Sequence, residues 1–179
     1  MRLFASPREL AYCGVFGAVA LLLPVVFHAL HLGRLFMPMY LPLVALGFFV
    51  GPLPAAATAF LVPLLSGAVT GMPPFYPPVA FLMAVELAIM SGLIAVALEL
   101  RPRTNEWLLL LPTLVLGRVL YLLMVYGLAS IIDLPASFVT GVSLLGGWPG
   151  LCLMIVVIPP LARLARRRRR LASRKEMTL

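Results

Sequence analysis

Charge is scarce in this 179-residue chain. Asp, Glu, Lys and Arg together make up 11% of it, and the single lysine is Lys175. Soluble domains carry roughly 25% of these residues, so a water-facing surface is not available to fold around. No GxxxxGK[ST] string occurs, which excludes ATP hydrolysis by a P-loop in this chain. GxSxG, HExxH and the paired acidic motifs of membrane hydrolases and lipid transferases are also missing. The two cysteines, Cys13 and Cys152, lie inside apolar runs with no CxxC or Cys/His cluster, so neither a disulfide framework nor a zinc site is expected. No metal and no cofactor are expected.

What is abundant is apolar. Hydrophobic residues make up 63% of the chain, and the mean hydropathy is +1.09. A chain of this length cannot hide so much apolar surface in one water-soluble core, so lipid is its solvent. The net charge of +8 belongs mostly to one stretch, from Arg163 to Lys175, which directly follows an apolar run. Such a run reads as a positive-inside anchor against anionic headgroups; with no aromatic residue interleaved, a nucleic-acid arm is the weaker reading. Arg2 and Arg8 precede the first apolar stretch. That stretch is longer than a signal-peptide core and lacks a small-x-small cleavage site, so it reads as a retained helix.

Six apolar windows follow one another. Helix 1 is expected over about Glu9 to Ala29 with a kink at Pro24, and helix 2 over about Pro38 to Val50. The Gly51-Pro52-Leu53-Pro54 segment reads as a turn, and helix 3 ends near Thr70. Helix 4 spans about Val79 to Leu98, helix 5 about Trp107 to Ile131 and helix 6 about Val142 to Leu164. Helices 2 and 3 are short against a span of about 20 residues. The expected fold is an all-α integral membrane protein of six transmembrane helices, residues 1–165, followed by a basic tail, residues 166–179. With six spans, Arg2, Arg8, Arg101, Arg103 and the tail share one side and only Arg34 lies opposite. The positive-inside rule therefore places both termini in the cytoplasm of a cell carrying the protein in its inner (plasma) membrane.

Ionisable groups inside hydrocarbon cost at least a few kcal/mol when unpaired. Glu86 lies roughly 12 Å below the outer end of helix 4, and Arg118 roughly 17 Å above the inner end of helix 5, at about 1.5 Å per residue. In a core of about 30 Å these depths nearly coincide. An ion pair that locks two antiparallel helices, or one that also lines a ligand site, both fit. His28 and His31 share a face if helix 1 continues, and with Arg34 they form a second cluster. Exposed interfacial histidines, ligand hydrogen bonding and a metal pair remain open there. Met39, Tyr40, Met72, Phe75 and Tyr76 flank the same end, as an interfacial belt or as the lid of an apolar pocket. Gly14 and Ala18 form a small-xxx-small face, for packing within the chain or against a partner.

These features occur in an ordered string: His28-x-x-His31-x-Gly33-x-x-Phe36-x-Pro38-Met39, Gly47-Phe48-x-x-Gly51-Pro52, Pro63-Leu64-x-Ser66, Thr70-Gly71-Met72-Pro73-Pro74, Glu86-Leu87, Gly117-Arg118-x-x-Tyr121, Thr140-Gly141 and Ile158-Pro159-Pro160. The string resembles the substrate-binding S components of energy-coupling factor (ECF) vitamin transporters, over nearly the whole chain. The resemblance implies a membrane receptor for a micronutrient, without an ATPase of its own. Its expected partners are a transmembrane coupling subunit and two cytoplasmic ATPase subunits. It also implies a vitamin enclosed by the outer loops and helices 4 to 6, here Glu86, Arg118, His28, His31, Met72, Phe75, Tyr76 and Tyr121. The family's AxxxA motif, which faces the coupling subunit, has its nearest match in Gly14 and Ala18, a glycine replacing the first alanine. The string looks closest to the subgroup assigned to cobamide precursors such as α-ribazole, while riboflavin, folate, pantothenate or a pterin would also suit such a pocket. A solitary facilitator, an intramembrane lipid-acting enzyme with Glu86 as its carboxylate, and a ligand-free scaffold subunit are the competing readings.

Overall fold

A computed structural model describes residues 6–29, 37–131 and 147–176, with side chains described as far as Ala165 in the last segment. These residues form six helices: α1 (Pro7–Ala29), α2 (Tyr40–Leu46), α3 (Pro52–Thr70), α4 (Val79–Leu100), α5 (Glu106–Ala129) and α6 (Trp148–Glu176). Five of them, counting Trp148–Ala165 of α6, are long and apolar enough to cross a membrane. Leucines and valines such as Leu22, Val26, Leu61, Leu65, Leu108 and Leu123 stand exposed on their outward faces. In water such a surface would aggregate; in lipid it is the ordinary covering of a spanning helix.

Glu9 ties two helices together at one end of the bundle. The Ser6 N–H donates to one Glu9 carboxylate oxygen at 2.8 Å, and the Glu9 N–H donates to the Ser6 hydroxyl at 3.3 Å. This reciprocal cap satisfies two orphan donors at the start of α1. The other Glu9 oxygen accepts from the Gly51 N–H at 2.8 Å. α1 and α3 thus begin at the same end and run in parallel, with Gly17 of α1 against Thr58 and Val62 of α3. Pro24 lies inside α1 without ending it.

Two expectations about the short helices change. α3 is not short: it starts at Pro52 and runs 19 residues. The Gly51-Pro52-Leu53-Pro54 segment opens a helix rather than separating two, because a proline in the first turn has no N–H that needs a partner there. The second helix is shorter than Pro38–Val50. α2 has 7 residues, and tight turns at Gly47–Phe49 follow it. α2 is the centre of the molecule, packed against α1, α3, α4 and α6, with Leu43, Val44, Ala45 and Leu46 fully buried. Gly47 lets it approach α4 closely, since a Cβ there would lie 2.5 Å from the Ser91 carbonyl oxygen.

α3 and α4 form the most extensive helix pair and α4 and α5 the next. The Asn105 side chain caps α5 by accepting from the Trp107 N–H at 3.2 Å. α6 passes through Pro159 and Pro160 and continues into the basic stretch as far as Glu176. The segment expected as a tail is thus helical there. Arginine is a good helix former, and no Gly or Pro interrupts residues 161–176.

Candidate functional site

The described residues enclose a cavity of about 820 Å³ at the end of the bundle that carries the 71–78 connection. α1 contributes Pro24, Val25 and His28 to its wall. The segment leading into α2 contributes Met37, Pro38, Met39 and Tyr40. Ser66 and Thr70 come from α3, Met72 and the prolines after it from the connection, Met83 from α4, and Arg118 and Tyr121 from α5. Methionine and proline dominate this lining. Methionine's three flexible torsions let such a wall conform to a ligand's outline.

Two hydroxyls of α3 hold the roof in place. The Ser66 hydroxyl donates to the Met72 carbonyl at 2.7 Å. The Thr70 hydroxyl donates to the Ser66 carbonyl at 2.8 Å and lies 3.1 Å from the Met72 carbonyl. Gly67 brings the connection down further: a Cβ there would meet the Pro73 carbonyl at 2.7 Å and the Phe75 ring at 3.1 Å. Phe75 therefore packs over α3, and its ring stands edge-on to Phe81 with centroids 5.6 Å apart.

Glu86 is 1% exposed. One of its oxygens accepts a hydrogen bond from the Tyr40 hydroxyl. The other lies 3.1 Å from where a Cβ on Gly117 would project. Glu86 is thus level with Gly117 and Arg118, as the depth count predicted, and both charged side chains point into the protein. They form no ion pair with each other. Arg118 donates instead to the Met37 sulfur at 2.7 Å. The helical step from Gly117 to Arg118 turns the guanidinium about 100° away from α4, toward α2's leading segment and the cavity.

Of the residues singled out from sequence, Arg118, Tyr121, His28 and Met72 line the cavity. Glu86 does not line it, because Tyr40 covers its carboxylate. Phe75 and Tyr76 do not line it either; Phe75 lies on α3, and Tyr76 is 70% exposed on the outside of the connection. His31, Thr140 and Gly141 lie outside the described residues. Met39 and Tyr40 are buried rather than interfacial, so the belt reading does not hold for them. Both line the cavity, and Met37 and Met83 are lining residues that the sequence had not singled out. Glu106, at the start of α5, is a second buried carboxylate. Gly14 and Ala18 face outward, with nothing within 4 Å of a Cβ on Gly14. The buried small residues of α1 are Gly17 and Ala20 instead. Among the described residues, no three His, Cys, Asp or Glu side chains converge as metal ligands. No family model, curated protein or solved structure matches the chain.

Proposed function

We propose that the protein is the membrane receptor of a micronutrient uptake system, an S-component-like subunit that binds its cargo in the cavity roofed by residues 71–78. The observation that carries this reading is the pairing of a large, mostly apolar cavity with two polar groups one turn apart on α5, Arg118 and Tyr121. Pockets for small molecules combine an apolar wall with a few placed polar groups in this way. In this reading the chain crosses the inner membrane six times, the segment that holds α2 returning it between the parallel helices α1 and α3. Both termini are cytoplasmic, and the cavity opens to the outside. A separate coupling subunit with two ATPases would drive release, docking on the outward-facing Gly14 and Ala18 of α1. A vitamin or precursor is the cargo class, with an α-ribazole-like cobamide precursor as the lead taken from the resemblance.

The competing enzyme reading needs Glu86 to meet a substrate, and Tyr40 stands between that carboxylate and the cavity. The test is uptake. The purified chain should yield a co-purifying small molecule. Cells should accumulate that molecule only when the chain and an energising module are both present, and Met83→Trp, which fills the cavity, should abolish uptake. Accumulation by the chain alone would mark a solitary facilitator. Chemical conversion of the molecule would mark an enzyme.

A further inference from the structure

The polar groups of the cavity are not equivalent, and their hydrogen bonds separate those available to a ligand from those already engaged. The Tyr40 hydroxyl is engaged with Glu86, and the Ser66 and Thr70 hydroxyls with backbone carbonyls of the roof and of α3. Arg118 carries five N–H donors, and its one hydrogen-bond partner among the described residues is the thioether sulfur of Met37, a weak acceptor. The Tyr121 hydroxyl, one helical turn along α5, has no hydrogen-bond partner among the described residues. Among the described residues, no carboxylate lines the cavity. A guanidinium facing an apolar chamber with only a sulfur to bond is missing the acceptor that charge and geometry call for.

Resting on the receptor reading but departing from its α-ribazole lead, a nucleoside without a carboxylate, we propose that the cargo carries a carboxylate, gripped by the Arg118 guanidinium and the Tyr121 hydroxyl, with the rest of the molecule against Met39, Met83 and Pro73. Among the described residues the cavity lining holds one permanent cation, which matches a single negative charge, whereas a phosphate dianion would bring a second charge and an extra oxygen into an apolar wall. A planar fork also presents two parallel N–H groups to the two oxygens of a carboxylate. Glu86 bonds to Tyr40 rather than to Arg118, so the guanidinium keeps its donors for a ligand.

The experiment uses the full chain in nanodiscs. Compounds released from wild type, Arg118→Gln and Arg118→Lys are identified by mass spectrometry, with the melting temperature of each variant recorded. In parallel, wild type is titrated with matched acids and their neutral counterparts: nicotinate and nicotinamide, lipoate and lipoamide, biotin and its amide, pantothenate and panthenol. A released carboxylic acid is expected from wild type, with recovery falling about 30-fold or more in Arg118→Gln and less in Arg118→Lys, as a hydrogen-bonded charge is worth. An acid that binds while its neutral counterpart does not also supports the proposal, and needs no variant. A neutral or cationic cargo, or equal recovery from a folded Arg118→Gln, overturns the carboxylate and leaves the receptor reading standing. Phospholipid alone, or no compound from wild type and no binding by any pair, overturns both.

Discussion

At the residue scale, the Tyr40–Glu86 hydrogen bond is the contact on which the floor of the cavity rests. Glu86 is buried between α2 and α5, and Tyr40 is its one hydrogen-bond donor among the described residues. Tyr40→Phe keeps the ring and removes that donor, leaving a buried carboxyl group unsatisfied. The expected cost is about 1–3 kcal/mol, seen as a lower melting temperature in detergent, while Glu86→Gln with Tyr40 intact should lose less. Equal melting of Tyr40→Phe and wild type would show that the bond does not support the fold. The level placement of Glu86 and Arg118 was legible because rise per residue along two adjoining antiparallel helices fixes depth. Their partners were not. Tyr40 stands 46 positions from Glu86, and Met37 stands 81 from Arg118. Nothing local in the sequence announces contacts of that kind.

At the element scale, glycine positions separate internal seams from free faces. Gly117 lets α5 close on Met90 and Glu86 of α4, and an added Cβ would collide with the Met90 sulfur. Gly117→Ala is therefore expected to destabilise by about 1–3 kcal/mol through overpacking. Gly14→Ala meets nothing and should stay within about 0.5 kcal/mol of wild type. Thermal unfolding of both variants checks the contrast; similar losses would mean that α1 packs on its Gly14 face after all. Sequence spacing alone pointed to Gly14 and Ala18 without saying what they face. Their neighbours Gly17 and Ala20, a different stripe of the same helix, make the seam with the rest of the bundle. The ends of α4 and α5 were legible from their breakers and caps. α2 was not, because six buried residues out of seven leave no lipid-facing period to read and an apolar run by itself does not reveal where a helix stops.

At the scale of the whole molecule, α1 and α3 share a starting end, and the cavity lies at the opposite one. The orientation predicted for the membrane can be read by labelling. With Cys13 and Cys152 replaced by serine, a cysteine at Thr70 should react with a membrane-impermeant maleimide on intact cells. One at Arg103, in the connection between α4 and α5, should react only after permeabilisation. The opposite pattern would invert the topology and turn the cavity toward the cytoplasm. The central claim is that the cavity is a receptor site. Native mass spectrometry of the full chain released from nanodiscs tests it most directly. The account predicts one small molecule per chain, displaced in Met83→Trp. A mass equal to that of the bare chain, unchanged by extracts of the membrane or medium, would contradict it.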